Sequence, residues 1–167
     1  MSHIVIAEFM EAAAVASLDA AHPTLYDPAL VDAPDRLAAS LGQARALIVR
    51  NRTLVDAALL RHGPGLKVVG RLGVGLDNID LPACRARAVE VIPATGANAD
   101  SVAEYVILAV GALLRGAYFA TPEVAGGQWP RARLSAGREM AGKTLGVVGF
   151  GDIGRRVANW RGPSAWW

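Results

Sequence analysis

The sequence predicts an α/β protein organised on a parallel sheet, and three observations carry that prediction. Short apolar runs alternate with helix-patterned stretches up to about residue 95, the pattern of strand–helix–strand crossovers. A long amphipathic stretch opens at Ser101. A further apolar run, Leu145–Val148, leads into Gly149-x-Gly151-x-x-Gly154 and then into helix-forming residues. Parallel strands need crossover connections, nearly always right-handed, so residues 1 to about 95 are expected to form a small doubly wound unit.

Each element has its own local reason. The apolar run His3–Ala7 reads as a buried first strand, and Phe9–Ala20 reads as a helix. Pro23 breaks that helix, and Thr24–Tyr26 follows as a second strand. Asp35–Leu41 reads as a short helix ended by Gly42. Ala46–Val49 is a buried strand running into Arg50-Asn51-Arg52. Thr53 is expected to cap a helix through about Arg61, with Asp56 completing a capping-box-like pair. Lys67–Arg71 is the next strand, followed by the turn Leu72–Asp80, with Asp80 as N-cap of a helix over Leu81–Ala88. Glu90–Ile92 closes the set.

Ser101 to about Leu114 is the longest predicted helix. Ser101 and Glu104 form an S-x-x-E box, and Val102, Val106, Ala109, Val110, Leu113 and Leu114 recur at helical spacing. Tyr118–Gly142 has little periodicity and reads as a connector between two structural units.

The chain is 53% hydrophobic and 19% charged, a globular balance. A net charge of +2 gives no reason to expect nucleic acid as a partner. No apolar run approaches a membrane span, so a cytoplasmic protein is the default expectation. The single cysteine, Cys84, falls in an apolar helix pattern and reads as a buried, inert thiol. His3, His22 and His62 read as structural surface residues. Asp77, Asn78 and Asp80 read as loop and cap residues in preference to metal ligands, so no metal site is assigned. A receiver-like domain is disfavoured because the first strand does not end in an acidic cluster, although Glu8 and Glu11 lie nearby.

Two places suit ligand chemistry. In a GxGxxG turn the first glycine permits the turn, the second lets the backbone approach a pyrophosphate, and the third allows close helix packing. The helix N-terminus adds N–H donors and a positive dipole end. Gly149, Gly151 and Gly154 fit that reading, and the alternative is a glycine turn that merely packs a helix. The acidic residue that grips a ribose is expected about 20 residues farther on, beyond this sequence. The second place is the carboxyl end of two earlier strands, where Arg50, Arg52 and Arg71 cluster. If Arg50 and Arg52 continue their strand they point to one face. The turn Gly73-Val74-Gly75 can present backbone N–H groups to an anion, and arginines with free amides suit a carboxylate. Solvated arginines and an ordinary turn are the competing reading.

Taken together, several segments resemble the D-isomer-specific 2-hydroxyacid dehydrogenase family, which includes phosphoglycerate dehydrogenase. They are Val49–Thr53, Leu66–Asp80, Asn98–Glu104 and Gly142–Gly154. The resemblance implies a flavodoxin-like substrate domain over residues 1–97, an interdomain helix over 98–117, and the start of a nicotinamide-binding Rossmann domain over 118–167. It further implies that Val74 and Gly75 hold a substrate carboxylate, with Arg50, Arg71 and Asn98 also meeting substrate. Gly149, Phe150, Gly151, Asp152, Ile153 and Gly154 would meet the pyrophosphate of NAD, with NADP left open. The reaction would be reversible hydride transfer at C2 of a small anionic 2-hydroxy or 2-keto acid, and the complete family members would be homodimers.

Family members are about twice this length. Their catalytic arginine, glutamate and histidine lie downstream of the glycine loop, so no catalytic residue is assigned here. Asn159–Trp167 also departs from the family's continuing helix. The expectation is therefore a truncated N-terminal part, inactive alone, with the region after about Gly116 poorly ordered or held by a second chain. The alternative is a non-catalytic binding or assembly module.

Overall fold

A computed structural model of the chain describes residues 3–160, and the chain divides into two compact units, the first through Thr95 and the second from Gly96. The expectation for the last residues falls, from position 161 on, outside the described residues.

The first unit runs β1 (Ile4–Ile6), α1 (Ala12–Ala21), β2 (Thr24–Tyr26), a 3-10 turn (Pro28–Asp32) and α2 (Pro34–Ser40). A second 3-10 turn (Leu41–Gln43), β3 (Ala46–Val49), α3 (Ala57–Arg61), β4 (Val68–Arg71), α4 (Leu81–Ala86) and β5 (Glu90–Pro93) follow. All neighbouring strands are parallel, in the order β2-β1-β3-β4-β5. That is the flavodoxin-like order, which reverses direction between β1 and β3.

Burial explains the sheet. β1 is Ile-Val-Ile, branched residues that suit a pleated strand, and all three are buried. Val5 pairs in register with Leu47, which in turn pairs with Val69. These three are fully buried and pack with Leu41, Val49, Leu60 and Cys84 in one core. The outer strands β2 and β5 contain no buried residue, as edges should. Cys84 is enclosed as expected, and burial together with the neighbouring Asp80 pushes its thiol pKa up, away from reactivity.

Two local expectations are corrected. The helix expected to start at Phe9 begins at Ala12, because the chain at Glu8 is tied to a distant loop described below. The cap of α3 is Asp56, whose carboxylate accepts from Leu59 N–H at 2.8 Å, and not Thr53. Val55 N–H donates to Asn78 C=O and Val55 C=O accepts from Asp80 N–H, both at 2.9 Å, which keeps Val55 extended and delays the helix. Asp80 does cap α4, accepting from Ala83 N–H at 2.9 Å.

The second unit contains α5 (Ala99–Arg115), a 3-10 turn (Ala117–Ala120), α6 (Thr121–Ala125), α7 (Arg131–Ser135) and α8 (Asp152–Ala158). The expected Ser101 cap is also corrected. Asn98 is the N-cap, without a side-chain bond, and Ser101 lies inside the first turn. Gly116, at φ 66°, ends α5 in the left-handed conformation that glycine adopts most readily. Val102, Val106, Ala109, Val110 and Leu114 are half-buried, whereas Leu113 is exposed. α5 and α8 pack together, and Arg156 of α8 pairs with Asp100 of α5 and with Asp152 of its own helix. No single helix among the described residues is long and apolar enough to cross a membrane; α5 and the bent segment Ala117–Ala125 pass that test only as a pair, bent by 61°.

Leu145–Val148, expected to be a strand, is not one. A parallel strand needs neighbours to take its N–H and C=O groups, and the described part of this unit contains no strand. Val148 is fully exposed, and Leu145 and Val147 are more than a third exposed. Amide hydrogen exchange at Val147 and Val148 is therefore expected to be fast while that of Val5 and Leu47 is slow; comparable protection would contradict this. Leu47→Ala should lower unfolding free energy by about 2–5 kcal/mol in a urea titration, the cost of a core cavity.

Candidate functional site

The carboxyl ends of β1, β3 and β4 lie side by side in the sheet, and their loops carry the first candidate site. In an open parallel sheet, the position where strand order reverses leaves a crevice for ligands. Here that position separates the loop after β1, Glu8–Phe9, from the loop after β3, Arg50–Thr53.

Glu8 joins those two loops. It is 5% exposed and accepts from the backbone N–H groups of Arg50 at 2.8 Å, Thr53 at 3.0 Å and Arg52 at 3.2 Å. From the other side, the Asn78 amide donates to the carbonyls of Thr53 at 2.7 Å and Arg50 at 3.1 Å. The turn after β3 is thus held by one side chain at its donors and another at its acceptors. Burial of Glu8 opposes its ionisation, and the backbone donors of Thr53, Arg50 and Arg52 outweigh it, so its pKa lies below the ordinary value.

The arginines do not continue β3, because their N–H groups turn inward to Glu8. The Arg50 guanidinium lies over the Phe9 ring, 5.8 Å from its centroid, a cation–π contact. Arg52 forms an ion pair with Asp32. Glu8, Phe9, Arg50, Asn51 and Arg52, with Pro28 and Val31, line a cavity of about 320 Å³.

The turn after β4 is built by Arg71 and Gly73. Arg71 folds back over the turn, and a Cβ at Gly73 would fall 1.4 Å from its Nη1. Gly73 has φ 155°, a conformation in the region that favours glycine. The Arg71 Nη1 donates to Leu72 C=O at 3.2 Å, while its buried Nε has no partner among the described residues. Gly73 N–H donates to Arg71 C=O, and Ala94 N–H donates to the carbonyls of both Arg71 and Gly73. No acceptor among the described residues takes the N–H of Val74 or Gly75, and both residues are exposed. Two free consecutive amides beside an incompletely bonded guanidinium can receive a carboxylate.

Asn98, also assigned by resemblance, lies in the second unit as the exposed N-cap of α5. The glycine loop lies there too. Gly149 has φ 92°, Gly151 is the N-cap of α8, and a Cβ at Gly154 would lie 2.2 Å from Gly149 C=O. The third glycine therefore permits a backbone approach that alanine forbids. Open space surrounds the Cβ positions of Gly149 and Gly151. Phe150 is exposed, and the Asp152 carboxylate bonds Arg156. The exposed backbone at Gly149–Gly151 thus leaves room for a ligand to approach the turn.

Residues 4–148 match the D-isomer specific 2-hydroxyacid dehydrogenase family, catalytic domain. The chain belongs to this family. It is 54% identical over 158 residues to the (S)-sulfolactate dehydrogenase of Chromohalobacter salexigens, covering 95% of this chain and 51% of that protein. It is 45% identical over 130 residues to the D-3-phosphoglycerate dehydrogenase of Mycobacterium leprae, covering 77% and 24%. Among solved structures, it superposes with TM-score 0.82 and 29% identity on a Polaromonas sp. JS6 66 protein described as a D-isomer specific 2-hydroxyacid dehydrogenase, NAD-binding, over 95% of this chain and 51% of that one. The NAD-dependent formate dehydrogenase of Staphylococcus aureus, in complex with NAD, gives TM-score 0.74 at 25% identity, over 93% and 52%. The chain thus spans about half the length of the first relative and of both structures, and about a quarter of the second relative.

Glu8, Phe9 and Asn78 were not assigned to this site from sequence. The available signal was an acidic residue directly after a wholly apolar strand, at the end where parallel sheets place ligands. Because the folded-state pKa of Glu8 is lowered, its contribution to stability is present above the ordinary carboxylate value of the unfolded chain and is lost as pH falls through the lower folded value. Glu8→Ala should cost about 2 kcal/mol or more at pH 7, by leaving inward-facing donors unpaired. Denaturant titrations from pH 7 to pH 3 should show wild type converging on the variant; parallel curves would refute this.

Proposed function

We propose that this chain is the N-terminal part of a nicotinamide-dependent oxidoreductase acting on the CH–OH group of a D-2-hydroxy acid. The observation that carries the proposal is the pair of amides at Val74 and Gly75 that, like the neighbouring Arg71 Nε, have no partner among the described residues, at the carboxyl end of a parallel sheet. In this reading residues 1–97 hold the acid, 98–117 cross between domains, and 118–167 begin the cofactor domain.

The substrate carboxylate accepts from the Val74 and Gly75 N–H groups and from Arg71. Arg50 meets the other end of the molecule, and Asn98 is assigned to substrate on family resemblance alone. Gly149–Gly154 meets the cofactor pyrophosphate, for NAD or NADP. A bound nicotinamide supplies or accepts the hydride at C2. The substrate class is a small acid with a second anionic group, supported by the sulfolactate and 3-phosphoglycerate of the relatives' names and by the cation at Arg50.

Calorimetric titration of the chain with (S)-sulfolactate and 3-phospho-D-glycerate tests the carboxylate site. Arg71→Ala should weaken binding by about tenfold or more, the worth of a charge-assisted hydrogen bond. Equal affinity in variant and wild type would reject it. A parallel assay with NADH and a panel of 2-keto acids should show no turnover by the 167-residue chain, since the acid–base residues assigned by resemblance are not within it; turnover would overturn that assignment.

A further inference from the structure

We propose that Glu8 is the positioning residue for anion recognition at this site, acting through Arg50. The inference rests on the reading above that Arg50 meets the substrate's second anion. Glu8 touches no substrate in this proposal; it decides where the Arg50 guanidinium is.

The geometry supports a positioning role in three ways. First, the loop after β3 converges its N–H groups on one point, as concave anion-binding turns do. The anion there is the protein's own carboxylate, bound by Arg50, Arg52 and Thr53. With those three donors occupied, Arg50 offers a ligand its side chain and not its N–H. Second, the inward turn of the Arg50 N–H is coupled to the outward course of its side chain, which reaches Phe9, the residue directly after Glu8. The same short segment therefore anchors both the Arg50 backbone and its guanidinium. Third, Asn78 grips the carbonyls of Arg50 and Thr53, and it belongs to the loop that carries Val74 and Gly75. The spacing between the free amides and the Arg50 cation is consequently set by side-chain bonds at both faces of one turn. A two-ended acid requires such a fixed spacing, because a displacement of about 1 Å can forfeit up to 100-fold.

Two substitutions separate positioning from packing. In Glu8→Gln one oxygen still accepts from Arg50 and Thr53, but the new NH2 group faces the Arg52 N–H, donor against donor. Glu8→Asp keeps the charge and withdraws it by one methylene. The test is calorimetry of the chain with (S)-sulfolactate and with D-lactate, which lacks the second anion. Thermal midpoints and amide NMR shifts of Arg50, Arg52 and Thr53 are measured on the same samples. Leu41→Val, a core change remote from the loop, serves as the stability control.

We expect both Glu8 variants to bind (S)-sulfolactate about tenfold more weakly, with D-lactate affinity changed much less. The Leu41 variant should lose thermal stability without that selectivity change. If Arg50→Ala weakens (S)-sulfolactate binding while both Glu8 variants bind like wild type, the positioning role is overturned and the role of Arg50 stands. If Arg50→Ala itself leaves binding unchanged, the reading of Arg50 fails and this inference falls with it. Should neither Glu8 variant fold, hydrogen exchange in the wild-type chain decides: slow, coupled exchange of the three loop amides that speeds on protonation of Glu8 supports the role, and fast exchange at neutral pH overturns it.

Discussion

The carboxylate of Glu8 is the constraint on which the candidate substrate site depends. A buried charge is costly unless donors surround it, and the Glu8 donors come from residues 42 to 45 positions away. One side chain therefore bridges the two loops where strand order reverses and defines the loop that carries both arginines. Its bonds run to backbone N–H groups, so the identities of residues 50, 52 and 53 are free to serve other ends. A cation at position 50 can then vary in chemistry without altering the turn that presents it.

The turn after β4 solves the complementary problem. Arg71 needs space to fold back across its own loop, and only a residue without a Cβ leaves it at position 73. The next two amides are left without acceptors, exposed at the surface. Exposed donors can bond water, so they carry little penalty in the free protein. Glycine here is explained by the Arg71 side chain it must clear.

How much was legible in the sequence follows from the range of the forces involved. β2 and β3 were readable to the residue because a short apolar run bounded by turn residues is a local pattern. Asp80 was readable as a cap because its partner is only three residues away. Thr53 and Asp56 were both plausible caps by type. The choice between them was made by Val55 pairing with the Asn78–Asp80 stretch, a contact with no local signature. Ser101 failed similarly: Ala99 and Asp100 are as compatible with a helix as the residues after them, so the helix extends back to Asn98. The Glu8 clamp was invisible for the same reason at longer range. The arginines and the glycine turn stood out by residue type, but the inward rotation that breaks the expected strand alternation of Arg50 and Arg52 did not.

The glycine loop shows the same division from the other side. Its local half has formed: a left-handed Gly149, an N-cap at Gly151, and a backbone approach at Gly154 closer than any side chain tolerates. Its non-local half, a strand in a parallel sheet, has not. The glycines evidently specify turn and helix start without help from the strand, which is why the motif is so easily read from sequence. A phosphate site needs more than that. The helix N-terminus must also be held at the carboxyl end of a strand whose ladder resists displacement when charge arrives. In the first unit, long-range bonds already supply that rigidity to the proposed carboxylate site. In the second, the turn itself is defined by contacts within a few residues, and the strand expected before it has not formed. The proposed carboxylate site therefore has a sheet and long-range bonds behind it, whereas the glycine loop has the α5–α8 packing and the Arg156–Asp100 pair but no strand.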